Sequence, residues 1–165
     1  EWLVPMLLGY LYVYQLDDLP TAAQYFSEAG KIEDSPQFLK SLEKKLDKPG
    51  GVFTLAMTMI DFMILKEENK LLKLELGRKK NHIFLNRFIF EINHGFQEYL
   101  EAKNQKKRNT TLETIPMRQL NQAWNEYRKK NRIPEVDPFG GRLSVAPSGK
   151  IVTTTEYDTV FGLEK

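Results

Sequence analysis

The chain has 165 residues, enough for one domain with its own core, and its 41% apolar and 28% charged content is ordinary for a globular protein. It contains no Cys, which excludes disulfide frameworks and thiolate-ligated zinc. The net charge of +2 conceals a segregation. Residues 1–35 hold Lys31 against Glu1, Asp17, Asp18, Glu28, Glu33 and Asp34, net −5, whereas residues 78–110 hold eight Lys or Arg against Glu91, Glu98 and Glu101, net +5. Such polarity can orient neighbouring molecules, although solvated helix faces account for it more simply.

Leu3 to Leu16 is apolar on almost every side. Its length falls short of the roughly 18–20 residues that span a bilayer, so it reads as a buried helix, one that a preceding element would cover. Glu1 precedes this run without a basic stretch, so no secretory signal is visible, and the start without Met reads as a fragment or a mature form from which an address label would have been removed. Asp17-Asp18-Leu19 makes a turn, Pro20 opens a second helix and Thr21 to Glu28 continues it. Ser35 fits an N-cap with Pro36 at the first helical position, and Phe38, Leu39, Leu42 and Leu46 recur at helical spacing to about Asp47. Lys48-Pro49-Gly50-Gly51 breaks that helix, and Val52 to Leu65 forms a very apolar one. Glu67 to Lys80 is polar and helix-favouring. Asn81 to Asn104 is the longest amphipathic run, with a stripe of Leu85, Phe88, Ile92, Phe96 and Tyr99 widened by Phe84, Ile89 and Leu100; Gly95 lets another backbone approach. Met117 to Asn131 is a further helix, after a polar, basic break at Gln105 to Thr111. Beyond Ile133 the chain turns rich in Pro and Gly. Arg142–Val145 and Lys150–Thr154 read as short strands joined by the turn Ala146-Pro147-Ser148-Gly149, and Thr155 to Lys165 is weakly patterned.

Two stretches resemble known families. Leu8, Gly9 and Tyr12 on the first helix, then Ala22, Phe26 and Ala29 on the second, resemble the tetratricopeptide repeat, with Pro5 in place of the family's Trp. That resemblance implies small residues where two helices touch, large ones in the groove beside them, and a stack that holds a partner rather than a substrate. Asp137-Pro138-Phe139-Gly140-Gly141 ahead of a hairpin resembles the Asp-Pro-aromatic-Gly element of type II secretion pseudopilins, and also the C-terminal segment of bacterial helical-repeat proteins. Pro138 sets an extended approach, Phe139 anchors in a core and the glycines permit positive φ. In pseudopilins nearby loops bind calcium; here only Asp137, Glu156 and Asp158 offer carboxylates, so a structural, metal-free turn is the reading adopted. Gly51-Val52-Phe53-Thr54-Leu55 has the look of the pilin export motif, but Ala56 replaces its Glu and Asp61 interrupts the apolar run, so a buried helix is preferred.

Candidate chemistry is sparse. His94 and Glu98 have the i, i+4 spacing of a shared metal, yet two ligands are too few, and His82 stands apart. No nucleophile elbow, phosphate-cradling loop or zinc-protease motif is present, and no catalytic pair emerges. The basic segments Arg78-Lys79-Lys80, Lys106-Lys107-Arg108 and Arg128-Lys129-Lys130 with Arg132 lie near helix ends, with Phe84, Trp124 and Tyr127 close by. On one face with exposed rings they would bind nucleic acid or anionic lipid.

The expectation is a mostly α fold of tetratricopeptide-like helical hairpins (1–65), long amphipathic and capping helices (66–132) and a small C-terminal β-hairpin with its tail (133–165). The expected function is a non-catalytic protein-interaction module in a bacterial assembly, with the cell envelope favoured over the cytoplasm and secretion or pilus systems as the setting. No cofactor or metal is expected, and no transmembrane segment. The partner-binding residues are Tyr10, Tyr14, Gln15 and Tyr25, because Tyr supplies both contact area and a hydrogen bond. The alternative is nucleic-acid binding by the basic C-terminal half; an enzyme with an unrecognised site ranks third.

Overall fold

The computed structural model describes residues 1–14, 18–46, 50–105 and 115–156, which form six helices and one two-stranded antiparallel hairpin. The helices are α1 (Leu3–Tyr14), α2 (Leu19–Lys31), α3 (Gln37–Leu46), α4 (Gly51–Lys66), α5 (Lys70–Gln105) and α6 (Met117–Lys130); β1 is Leu143–Val145 and β2 is Ile151–Thr153. The mostly helical fold with a terminal hairpin is thus present. The packing divides the chain into two units, Glu1–Phe84 and Leu85–Lys165, with the boundary inside α5. The polar Glu67–Lys80 stretch and the Asn81–Asn104 stripe join in one 36-residue helix from Lys70.

In the first unit α2 packs against α1, α3 and α4. Asp18 caps α2, its carboxylate accepting from the Thr21 amide at 3.1 Å and the Thr21 hydroxyl at 2.6 Å, and these two bonds hold its pKa below the usual value. Ala22, Phe26 and Ala29 are fully buried with Leu39, Ala56 and Ile60. The contacts are set by missing side chains. A Cβ on Gly9 would lie 2.7 Å from the Phe26 ring, and one on Gly30 would lie 2.9 Å from the Leu39 carbonyl oxygen. Ser35 acts backward, not forward as an N-cap of α3: its buried hydroxyl donates to the Gly30 carbonyl near the end of α2 at 3.1 Å. At the start of α5, Asn69 Oδ1 accepts from the amides of Leu71 and Leu72 at 2.9 and 3.3 Å, a side-chain cap for otherwise unpaired donors.

In the second unit Ile92, Phe96 and Leu100 of α5 form a core with Leu120, Ala123 and Trp124 of α6 and Leu143, Val145 and Ile151 of the hairpin. Phe96 meets Tyr99, Trp124 and Tyr127 at ring-centroid distances of 6.4, 5.5 and 5.5 Å. Phe84, expected to widen this stripe, is 42% exposed. Gly95 makes room for a side chain rather than a backbone: a Cβ there would fall 2.2 Å from the Tyr127 hydroxyl. Helix α6 closes with Arg132 at φ 55°, the Ile133 amide reaching the Arg128 carbonyl at 2.9 Å and the Arg132 amide reaching that of Lys129 at 3.3 Å.

Candidate protein-binding surface

The first hairpin presents two chemically different faces. On α1, Gly9 points at Phe26, and at about 100° per residue Leu3, Val4, Leu7 and Leu11 fall on the opposite arc. All four are exposed, Val4 at 63% and Leu7 at 54%. Among the described residues α1 is thus covered along one arc only, whereas the sequence reading of a buried helix looked to a preceding element to cover the rest. Its inner arc belongs to the core and its outer arc is an aliphatic strip, a feature that soluble surfaces rarely leave without use. The all-round apolarity of Leu3–Leu16 was its signal; which arc would face outward could not be read, because the helix has no polar side to orient it.

Of the residues expected to touch a partner, Tyr25 and Tyr10 are half-buried. Tyr25 stacks on Tyr12 with centroids 5.3 Å apart, and the neighbouring Tyr12 hydroxyl, followed by burial, pushes its pKa up. Tyr10 turns inward and meets Phe26 edge-on at 5.7 Å; burial raises its pKa too. The Tyr14 side chain and the whole of Gln15 lie outside the described residues. The structure thus brings Tyr12 and Tyr25 together and gives Tyr10 a packing role. Of the other repeat residues, Leu8 is half-buried, Gly9 is buried, and Ala22, Phe26 and Ala29 lie in the core.

The Asp137–Gly141 turn spends its polar groups on the fold. Asp137 is 3% exposed. Its Oδ1 accepts from the amides of Phe139 at 2.7 Å and Gly141 at 3.1 Å, and its Oδ2 accepts from the Thr155 hydroxyl at 2.5 Å and from the Thr153 hydroxyl. Burial pushes the carboxyl up, yet the bonds from Thr153, Thr155, Phe139 and Gly141 outweigh it and hold the pKa below the usual value. Gly140 takes φ 90°, and Gly141 has no space for a Cβ, which would sit 2.4 Å from the Thr155 amide nitrogen. Pro138 is exposed. Phe139 is not the expected core anchor. It is half-exposed and lines an open cleft with Gly140, Gly141, Thr154, Thr155 and Glu156.

Beside the apolar contacts of Leu143, Val145 and Ile151, a pair of amides that sequence reasoning missed docks the hairpin. Asn93 donates to the Ile151 carbonyl at 3.0 Å and accepts from the Ile151 amide at 2.6 Å, and Gln97 donates to the Gly149 carbonyl at 3.0 Å. Asn93 thus satisfies both backbone groups of an edge-strand residue, as a neighbouring strand would. One turn apart on α5, Asn93 and Gln97 sit just beyond the edge of the apolar stripe, where polar residues are ordinary, so they leave little trace in the sequence.

Among the described residues no three His, Asp or Glu side chains converge on one point; Asp158 lies outside them. His94 Nδ1 and Glu98 stand 3.8 Å apart on an exposed face. No protein-family model, curated protein or solved structure matches this chain.

Proposed function

We propose that this chain is a non-catalytic protein-interaction module of a bacterial assembly, set in the cell envelope, whose first hairpin is the contact surface. The observation that carries the reading is the exposed aliphatic arc Leu3, Val4, Leu7 and Leu11, on the side of α1 opposite the Gly9–Phe26 contact. An apolar strip beside a partly exposed tyrosine pair matches the composition of protein interfaces, which bury apolar area and are enriched in Tyr. The small-residue contacts at Gly9, Ala22 and Ala29 support the likeness to a tetratricopeptide hairpin, a unit that binds by stacking. The clustered polar groups support a non-catalytic role, since Asp137 is committed to four donors and Glu126 is engaged by Lys103, Tyr99 and Gln122.

The nucleic-acid alternative has less support. Trp124 is 4% exposed and Tyr127 sits in the Phe96 ring cluster, so the rings nearest the last basic segment are used in packing and not offered for stacking. Lys106-Lys107-Arg108 lies outside the described residues.

The test compares capture from a bacterial envelope extract by the chain and by a Leu7→Glu, Leu11→Glu variant of unchanged helical circular dichroism. A protein held by the first and lost by the second supports the reading. Equal capture by both overturns the surface, and capture abolished by nuclease favours the nucleic-acid alternative.

A further inference from the structure

We propose that the Asp137–Pro138 peptide bond is a latent self-cleavage site, which the docked hairpin holds shut. It is the single Asp–Pro linkage of the chain. An Asp carboxyl can close a five-membered ring on its own peptide carbonyl carbon, so the attack is intramolecular. The proline nitrogen carries two alkyl carbons and no hydrogen. It therefore takes up a proton more readily than an ordinary amide nitrogen and leaves as a secondary amine.

The step balances within the chain. A carboxyl oxygen of Asp137 bonds to the Asp137 carbonyl carbon, the bond from that carbon to the Pro138 nitrogen breaks, and the carboxyl proton passes to the nitrogen. Water then opens the cyclic anhydride. The products are a chain that ends in Asp137 with both of its carboxyl groups free and a chain that begins at Pro138.

The native turn opposes each part of this step. Both carboxyl oxygens are occupied, Oδ1 by the amides of Phe139 and Gly141 at 2.7 and 3.1 Å, Oδ2 by the Thr155 hydroxyl at 2.5 Å and by the Thr153 hydroxyl. Four donors favour the carboxylate, which has no proton to give the leaving nitrogen. Closing the ring would swing the carboxyl away from them. Asp137 is also 3% exposed, which keeps out the water that would open the anhydride. Every group bonded to the carboxylate is neutral. The charged residues around the turn are Glu135, paired with Arg128 at 2.8 Å, Arg142, which bridges to Val136, and Glu156, in the cleft beside Thr155.

The latch belongs to the hairpin as a whole. Thr153 ends β2, and β2 is seated through Ile151 on Asn93. When the hairpin opens in acid, the carboxyl loses its donors and takes up its proton. The cut then severs Leu143, Val145 and Ile151 from the helices whose core they share, so a reversible opening becomes an irreversible loss.

The experiment follows the full chain by intact mass, with and without guanidinium, at the lowest pH at which its helical circular dichroism persists. The unfolded chain is expected to split into residues 1–137 and 138–165 at least about tenfold faster than the folded one, because a bond that reacts only when open is slowed by the open fraction. Asp137→Asn and Pro138→Ala chains should stay whole in guanidinium, which ties the cut to this bond. Without guanidinium, a Thr153→Val, Thr155→Val variant should split faster than the parent, whereas Ser144→Ala, an exposed change on the same hairpin, should match it. Equal rates for the folded and unfolded parent, an unfolded chain that stays whole, or a double-Thr variant no faster than the parent overturns the proposal.

Discussion

In the Leu85–Lys165 unit the hairpin, with Leu143, Val145 and Ile151 in the core, is further tied down by polar groups placed one by one. Asp137 gathers four donors, Asn93 takes both backbone groups of Ile151, and Gln97 takes the Gly149 carbonyl. The Glu1–Phe84 unit is assembled differently, by the close approach of small residues: Gly9 under Phe26, Gly30 against Leu39, Ala22 and Ala29 in the core. The difference teaches where function can sit. A two-stranded hairpin is marginal by itself, and its unit secures it by satisfying its edge. The helical hairpin is secure along one arc of α1 and leaves the other arc, with the leucines at the start of α5, facing solvent. Its exposed arc on α1 is the surface on which a protein contact is proposed.

The largest effect that would break this comparison is expected at the ring cluster. Phe96 is fully buried among Tyr99, Trp124 and Tyr127, so Phe96→Ala should cost about 3–5 kcal/mol in a denaturant titration. A loss under about 0.5 kcal/mol, the range of surface substitutions, would mean that this face of α5 is not core.

Next in size is the small-residue contact. Ala22 has no exposed area, so Ala22→Leu should overpack the first unit and cost about 1–3 kcal/mol, lowering the denaturation midpoint. An unchanged midpoint would show that close approach at α2 is not what holds the hairpin together.

The smallest effect sharpens the polar side of the comparison. The folded-state pKa of Asp137 is depressed, so its stabilisation is fully present above the unfolded value near about 4 and is lost as pH falls through the folded one. Measured against the intrinsic exchange rate, the amide protection of residues 141–153 should therefore fall as the solution is acidified below about pH 4. Asp137→Asn should cost about 1–2 kcal/mol at neutral pH and flatten that acid response. A hairpin whose protection is insensitive to acid in the parent chain would place its anchoring with Asn93 and Gln97 instead.

Much of this was legible because it is local. Pro20 sits in the first turn of α2, and the Ala146-Pro147-Ser148-Gly149 turn closes with the Gly149 amide on the Ala146 carbonyl at 2.8 Å and Gly149 at φ 79°. The acceptor role of Asp137 toward Phe139 and Gly141 follows from turn chemistry alone. Its partners Thr153 and Thr155 do not, being 16 and 18 residues away.

The sequence by itself determined the helices, the hairpin turn and the residues small enough to lie in contacts, because periodicity, capping and φ preference act within a few residues. Tertiary structure alone decided the rest. It set α5 as one helix shared by two units, chose which arc of α1 would face solvent, and turned Phe139 out of the core while seating Ile151 on Asn93, 58 positions away. An apolar residue declares that it will be buried if a surface is available. Whether one is available depends on elements far along the chain, and in this protein the arc left over on α1 is the one on which its function is proposed to rest.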